Sequence, residues 1–285
     1  MNQPLKTSLV AGLFVSFAFL SCSKSSNSTS NPASPKNDIR LTTSATFGQV
    51  LTDSAGKTLY FFSVDASGNS GCTGGCLAAW PVFYKASPKL DSGLTATDFG
   101  VITRTDGSQQ TTYKGWPLYY FAQDAVAGDI KGDGVGSVWF VAKPDYTIML
   151  AEGPLKGKDG NFYDSTHTVS PTTVNYEYVT DAYGRTLYSF SADKNGVNNY
   201  TTSNATTNAY WPIYQVSAVQ RVPSIIDPSS LAIITVFGQT QLTFKGWPLY
   251  YFGADNQIRG NTLGVSVPTP GVWPVVNEFS ATAPN

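Results

Sequence analysis

Few residues in this chain can do chemistry, and their spacing limits which chemistry that is. Its 285 residues include three cysteines and one histidine. Cys72 and Cys76 sit in the run CTGGC. Two of the three residues between them are glycines, which let the backbone turn tightly enough to bring the sulfurs together. A bridge across so small a loop removes little chain entropy, and a strained bridge is easily reduced. The pair therefore has two readings. One is a disulfide clip ahead of Trp80. The other is a redox or copper site, since thiolates bind soft copper. A copper site wants a third ligand, and the sole histidine, His167, lies far along the chain in a polar stretch. Haem attachment needs Cys-x-x-Cys-His, whereas Leu77 follows Cys76. A single histidine also excludes a multi-histidine zinc site, and leaves His167, in a polar stretch, as the one base a Ser-His-Asp triad or a Cys-His pair could use.

Carboxylates remain. Asp124, Asp129 and Asp133 cluster in DAVAGDIKGDG. As a calcium loop this run fails, because Lys131 stands where a ligand is expected and Phe140 where a bidentate glutamate should be. A more regular pattern is tyrosine followed five positions on by aspartate: Tyr60/Asp65, Tyr119/Asp124, Tyr188/Asp193 and Tyr250/Asp255. In the structural reading the tyrosines build the core and the aspartates close turns through backbone hydrogen bonds. In the functional reading four Asp–Tyr pairs line a binding surface. Recurrence as a building block favours the first.

The elements that carry these residues are themselves written twice. KGWPLYYF occurs at 114–121 and again at 245–252. TDSAGKTLYFFSVD at 52–65 aligns with TDAYGRTLYSFSAD at 180–193, Trp80-Pro81 with Trp211-Pro212, and Trp139 with Trp273. The period is the size of a domain and too long for a solenoid repeat. Two tandem modules follow, at 45–145 and 175–279, with a linker at 146–174 and a tail at 280–285. Each module is again roughly doubled. Short Tyr-, Thr- and Val-rich runs flank Asp-Ser-Ala-Gly and Asp106-Gly107, which reads as hairpins. The fold class is therefore all-β: small sandwiches or open barrels built from hairpins. KGWPLYYF is expected to be the central strand of each module, burying Leu118 and Tyr120 on one face and Tyr119 and Phe121 on the other. Trp116 and Trp247, at the strand's entrance, are the expected exposed aromatics and the candidate ligand contacts.

The N-terminus bears on the compartment. One lysine, Lys6, precedes an apolar stretch that ends at Ser21-Cys22. That stretch is too short to span a bilayer but suits the apolar core of a secretory signal. Phe19-Leu20-Ser21-Cys22 reads as a lipobox, with Phe19 where leucine is usual, so 1–21 would be removed and Cys22 would carry lipid. The Ser/Asn/Pro-rich stretch that follows makes 22–44 a flexible tether. With Cys22 lipidated, Cys72 and Cys76 are left to pair in an oxidising compartment. Charge is balanced, at 18 Lys+Arg against 19 Asp+Glu with no basic run, which argues against nucleic acid as a partner.

The four Tyr-x4-Asp motifs, CTGGCLAAWP and GDGVGSVWFV together resemble the bacterial family of secreted or lipoprotein repeats with the Y-x4-D motif. The resemblance covers nearly all of the chain after the tether. It implies export and tandem repeats, and no settled activity. The second module departs from it, with NNYTTSNATTNAYWP where the cysteines would stand. The expected protein is exported and lipid-anchored in the cell envelope, at the outer membrane on its periplasmic or surface side. It is non-catalytic, needs no cofactor, and serves an envelope ligand or protein partner as a binding or structural component. The alternatives are a redox or copper-handling protein using Cys72 and Cys76, and a carboxylate-dependent enzyme acting on glycans.

Overall fold

The structure, a computed structural model, describes residues 37–285. The expected signal segment 1–21, Cys22 and the expected tether up to residue 36 lie outside the described residues. The chain is all-β, as expected. Its strands form five small sheets, every strand pair antiparallel, and no sheet among the described residues closes into a barrel. Helix is limited to single turns such as Cys76–Ala79 and Ala205–Asn208.

Each module begins with an antiparallel pair. Ile39–Ser44 lies on Gly48–Asp53 in the first, and Met149–Lys156 on Asn175–Thr180 in the second. Two boundaries therefore differ from those read in the sequence. The first module starts at Ile39, inside the stretch expected as tether. The stretch expected as a linker, 146–174, holds the opening strand of the second module. Ile39–Ser44 folds back on Gly48–Asp53 through a tight turn, while Met149–Lys156 finds its partner about twenty residues on, a match that local composition does not announce.

After each pair comes a tight turn on an aspartate. Asp53 Oδ1 accepts from the N–H groups of Ala55 and Lys57 at 2.8 and 2.9 Å. Asp181 Oδ1 accepts from Tyr183 and Arg185 at 2.9 and 3.0 Å. The aspartate side chain thereby stands in for a backbone carbonyl, as short polar residues do in turns. A second hairpin joins Gln109–Tyr113 to Trp116–Pro117, and its counterpart joins Gln239–Phe244 to Trp247–Pro248. The loops are Lys114-Gly115 and Lys245-Gly246, all four residues having positive φ (48°, 79°, 51° and 84°). Two successive left-handed residues make the turn whose twist matches the strands, and glycine takes the second place without strain.

At the centre of each module KGWPLYYF lies between two other segments. Tyr119 bridges to Tyr60 on one side and to Val82 on the other; Tyr250 bridges to Tyr188 and Ile213. Leu118, Tyr119 and Phe121 are buried. Tyr120 and Tyr251 are only half-buried, contrary to expectation, because each hydroxyl reaches out to the turn aspartate, Asp53 at 3.0 Å and Asp181 at 2.9 Å.

The two modules share a core. Phe61, Trp116, Phe140 and Tyr146 of the first module belong to the same buried cluster as Leu187, Tyr188 and Phe244 of the second. Trp116 is 2% exposed, so the exposed aromatic expected at this strand entrance is instead an interface residue. Its indole N–H donates to the carbonyl of Ala182 in the second module at 3.1 Å. Trp247 is half-covered, and its N–H donates to the Ala281 carbonyl at 2.8 Å.

Candidate functional site

The Tyr-x4-Asp motif does not pair within itself. Tyr60 donates to Asp124 at 2.7 Å and Tyr119 to Asp65 at 2.6 Å, so the two halves of the first module exchange partners. The second module repeats this, Tyr188 donating to Asp255 and Tyr250 to Asp193, each at 2.7 Å. The backbone explains the exchange. Tyr60 and Tyr119 lie opposite each other, with reciprocal N–H···O bonds of 2.8 and 2.9 Å. Each side chain therefore runs toward the turn at the far end of its neighbour. The second carboxylate oxygen accepts a backbone N–H from the loop beyond: Gly71, Lys131, Asn199 or Leu263, at 2.6–3.0 Å. All eight motif residues are buried, none more than 6% exposed. Burial pushes the Asp65 and Asp255 carboxyls up to about 7 and Asp193 up to about 6, each against the opposing pull of its hydrogen bonds. The motif is thus an internal clasp, and the reading in which these pairs line a binding surface does not hold.

Against each clasp lies a stack of four aromatic rings. Phe62, Trp139, Trp80 and Phe121 follow one another at 4.1, 3.8 and 4.3 Å between centroids. Phe190, Trp273, Trp211 and Phe252 do the same at 4.5, 3.8 and 4.4 Å. The clasp tyrosines meet the tryptophans edge-on, Tyr60 on Trp80 and Tyr119 on Trp139, a favoured aromatic geometry. Gly132 and Gly264 pass so close that a Cβ at either would lie 2.8 Å from Trp80 or Trp211. Each donates its N–H to a clasp hydroxyl at 3.3 Å, which requires that approach.

A loop covers each stack, and here the modules diverge. In the first, Cys72 and Cys76 form a disulfide with Cα atoms 5.4 Å apart. Cys72 is buried and Cys76 half-covered. Arg104, which the sequence reading passed over, ties the same loop down. Its buried guanidinium donates to the Cys72 carbonyl and to Gln110 Oε1, both at 2.6 Å, and to Ser70 Oγ. No local pattern marks this arginine, since two of its partners, Ser70 and Cys72, lie in a loop more than thirty residues away. In the second module Tyr200 takes the place of Cys72. Its ring meets Trp273 at 4.8 Å and its hydroxyl donates to the Thr207 carbonyl at 3.2 Å. Asn198 reaches Gln241 at 2.7 Å, in place of the arginine.

Beside this second loop a cleft of about 850 Å³ opens onto the aromatic stack. Tyr210, Trp211, Phe252 and Val272 wall it, with Lys158 and Thr206 contributing polar groups. Tyr210 is 67% exposed. Its size and apolar walls are those of a small-molecule site.

The other candidates are accounted for locally. Asp129 accepts from the Ala125 and Val126 N–H groups and pairs with Lys131 at 2.8 Å, while Asp133 accepts from Val141 at 2.8 Å. With Asp124 committed to Tyr60, the three carboxylates do not converge. His167 is half-buried against Gly271, and burial lowers its pKa.

This architecture is a tandem β-repeat with paired clasps. Residues 41–84 and 100–143 each match the model of a family described as a secreted repeat of unknown function. Both matches lie in tandem within the first module, and they are to the family to which the Tyr-x4-Asp pattern pointed, which is described as secreted. No curated protein and no solved structure matches the chain.

Proposed function

We propose that this is an envelope protein, anchored by lipid on Cys22, that binds its ligand without catalysis in the cleft of the second module. The cleft carries the reading. It presents an aromatic wall in a chain whose motif carboxylates and tyrosines are all committed to internal hydrogen bonds. The exposed ring of Tyr210 beside the edge of the stack, with a few polar groups at the rim, suits a ligand with an apolar ring face, such as a glycan ring. The anchor rests on Ser21-Cys22 after the apolar run and on the Ser/Asn-rich stretch beyond it. Two acyl chains on Cys22 would hold the chain where one would not.

Two measurements test the proposal. Detergent partitioning of the full-length chain should move Cys22→Ala out of the membrane fraction, and a variant that stays there sinks the anchor. Titration of the exported Cys22→Ala chain with soluble cell-wall oligosaccharides should change tryptophan fluorescence saturably, and Tyr210→Ala should abolish the change. Binding that survives Tyr210→Ala, or no saturable change at all, rejects the cleft.

A further inference from the structure

The Lys-Gly turn before each tryptophan of KGWPLYYF offers three groups that need partners: the lysine ammonium, the lysine carbonyl and the indole N–H. In the first module two of the three partners come from the second module. Lys114 Nζ donates to the Pro144 carbonyl at 2.8 Å, within the connection leading into that module. Trp116 Nε1 donates to the Ala182 carbonyl at 3.1 Å, in the turn built on Asp181. The Lys114 carbonyl accepts from Arg259 Nη1 at 3.3 Å, and the Arg259 guanidinium lies 4.7 Å above the Trp116 ring. Gly115 makes room for it, since a Cβ there would lie 1.9 Å from Nη1. Arg259 Nε also donates to the Ala66 carbonyl at 2.7 Å, just past Asp65.

In the second module residues 281–283 satisfy the carbonyl and the indole N–H, while the ammonium is shared between Ser280 and the Glu278 carbonyl just before it. Lys245 Nζ donates to the Ser280 carbonyl at 3.0 Å, Trp247 Nε1 to the Ala281 carbonyl at 2.8 Å, and the Lys245 carbonyl accepts from the Ala283 N–H at 2.9 Å. The Pro284 carbonyl accepts from Asn195 at 2.8 Å, just past Asp193. Ala283 is buried against Gly246, its Cβ 3.3 Å from where a Cβ on that glycine would stand. For the lysine carbonyl and the indole N–H, residues 280–285 therefore occupy the place that a following module takes on the first.

We propose that residues 280–285 are an intramolecular cap on a module-docking face, and that the partner this face fits is the turn 53–57 of a second copy of this chain. That turn is the counterpart of 181–185, which docks on Trp116. Both are built on an aspartate that accepts two backbone N–H groups, and Gly56 and Gly184 share a positive φ of 85° and 81°. The Ser54 carbonyl thus stands where the Ala182 carbonyl does. The first module has no counterpart of Arg259: Ala127 lies over Gly56 where Arg259 lies over Gly184, and Gly128 and Gly260 make the equivalent N–H bonds to those glycines. The contact between copies is accordingly weaker than the one within the chain, and the cap prevails while it is present. A contact of one module's face with another module's turn is head-to-tail, and it propagates unless a cap stops it.

Sedimentation of the exported Cys22→Ala chain tests this. The full chain should be monomeric. The chain ending at Phe279 should gain mass with concentration. Trp247→Ala in that shortened chain, or a synthetic 280–285 peptide added in excess, should return it to the monomer. Should the shortened chain fail to fold, Ala283→Arg in the full chain lifts the cap and should associate in the same way. Three results would each overturn the proposal: a folded, uncapped chain that stays monomeric, association that persists with Trp247→Ala, or a full chain that already associates.

Discussion

The two modules hold the same clasp and the same four-ring stack under different lids. In the first, a disulfide and Arg104 fasten the lid; in the second, Tyr200, Asn198 and Thr207 fasten it with neutral hydrogen bonds and an aromatic edge. The interior is kept because each ring and each carboxylate has several partners drawn from both halves of its module. The lid varies because it needs only to be held down, and covalent, ionic and neutral ties all suffice. Beside the second lid lies the aromatic cleft.

The largest expected effect tests whether the interiors are equivalent. Trp139→Ala and Trp273→Ala each remove the buried indole at the middle of a stack. Each should cost about 3–5 kcal/mol, the range for large aromatic truncations. Chemical unfolding should show both losses, and a difference of several-fold between them would break the equivalence. Next come the clasps. Tyr119→Phe and Tyr250→Phe leave ring packing intact and remove a hydrogen bond to a buried carboxylate, at about 1.5–3 kcal/mol each. Both should lower the denaturant midpoint, Tyr119→Phe by at least as much because it also loses Ser70 Oγ, and no shift would make the clasp incidental.

The lids should then separate the modules. Cys72→Ser with Cys76→Ser should cost about 2 kcal/mol, near the low end for disulfides because the loop is short. Hydrogen exchange should rise at 70–80 and stay unchanged at 198–210. Spread of the effect into the second module would contradict independent lids.

A further expected effect is on pH. Asp65, Asp193 and Asp255 have folded pKa values raised by burial to about 6–7, against about 3.9 in an unfolded chain. Between those values the folded state binds more protons than the unfolded state. The stability these groups contribute is therefore complete below about pH 4 and is lost as pH rises through 6–7. The melting temperature should be higher at pH 5 than at pH 8. Asp193→Asn with Asp255→Asn should flatten that slope more than Asp65→Asn does, because it removes two of these groups rather than one; Glu177, which burial also raises to about 7, keeps its share in every variant.

Much of this was legible in the sequence. Identical runs at 114–121 and 245–252 announced the duplication, and alternating Tyr, Thr and Val with Asp and Gly at turns announced strands and hairpins, because both signals are local. The spacing in CTGGC announced a bridge in the same way. Partners were a different matter. That Tyr60 reaches Asp124 rather than Asp65 depends on two strands lying antiparallel, which no spacing within one motif encodes. That Trp116 is buried while the identical octapeptide carries a half-covered Trp247 depends on what docks against each copy: a whole module in one case and six residues in the other. Identical sequence sets identical turn geometry, since φ and ψ are chosen by neighbouring residues. Burial is set by whatever part of the chain arrives from far away, and only the tertiary structure decides that.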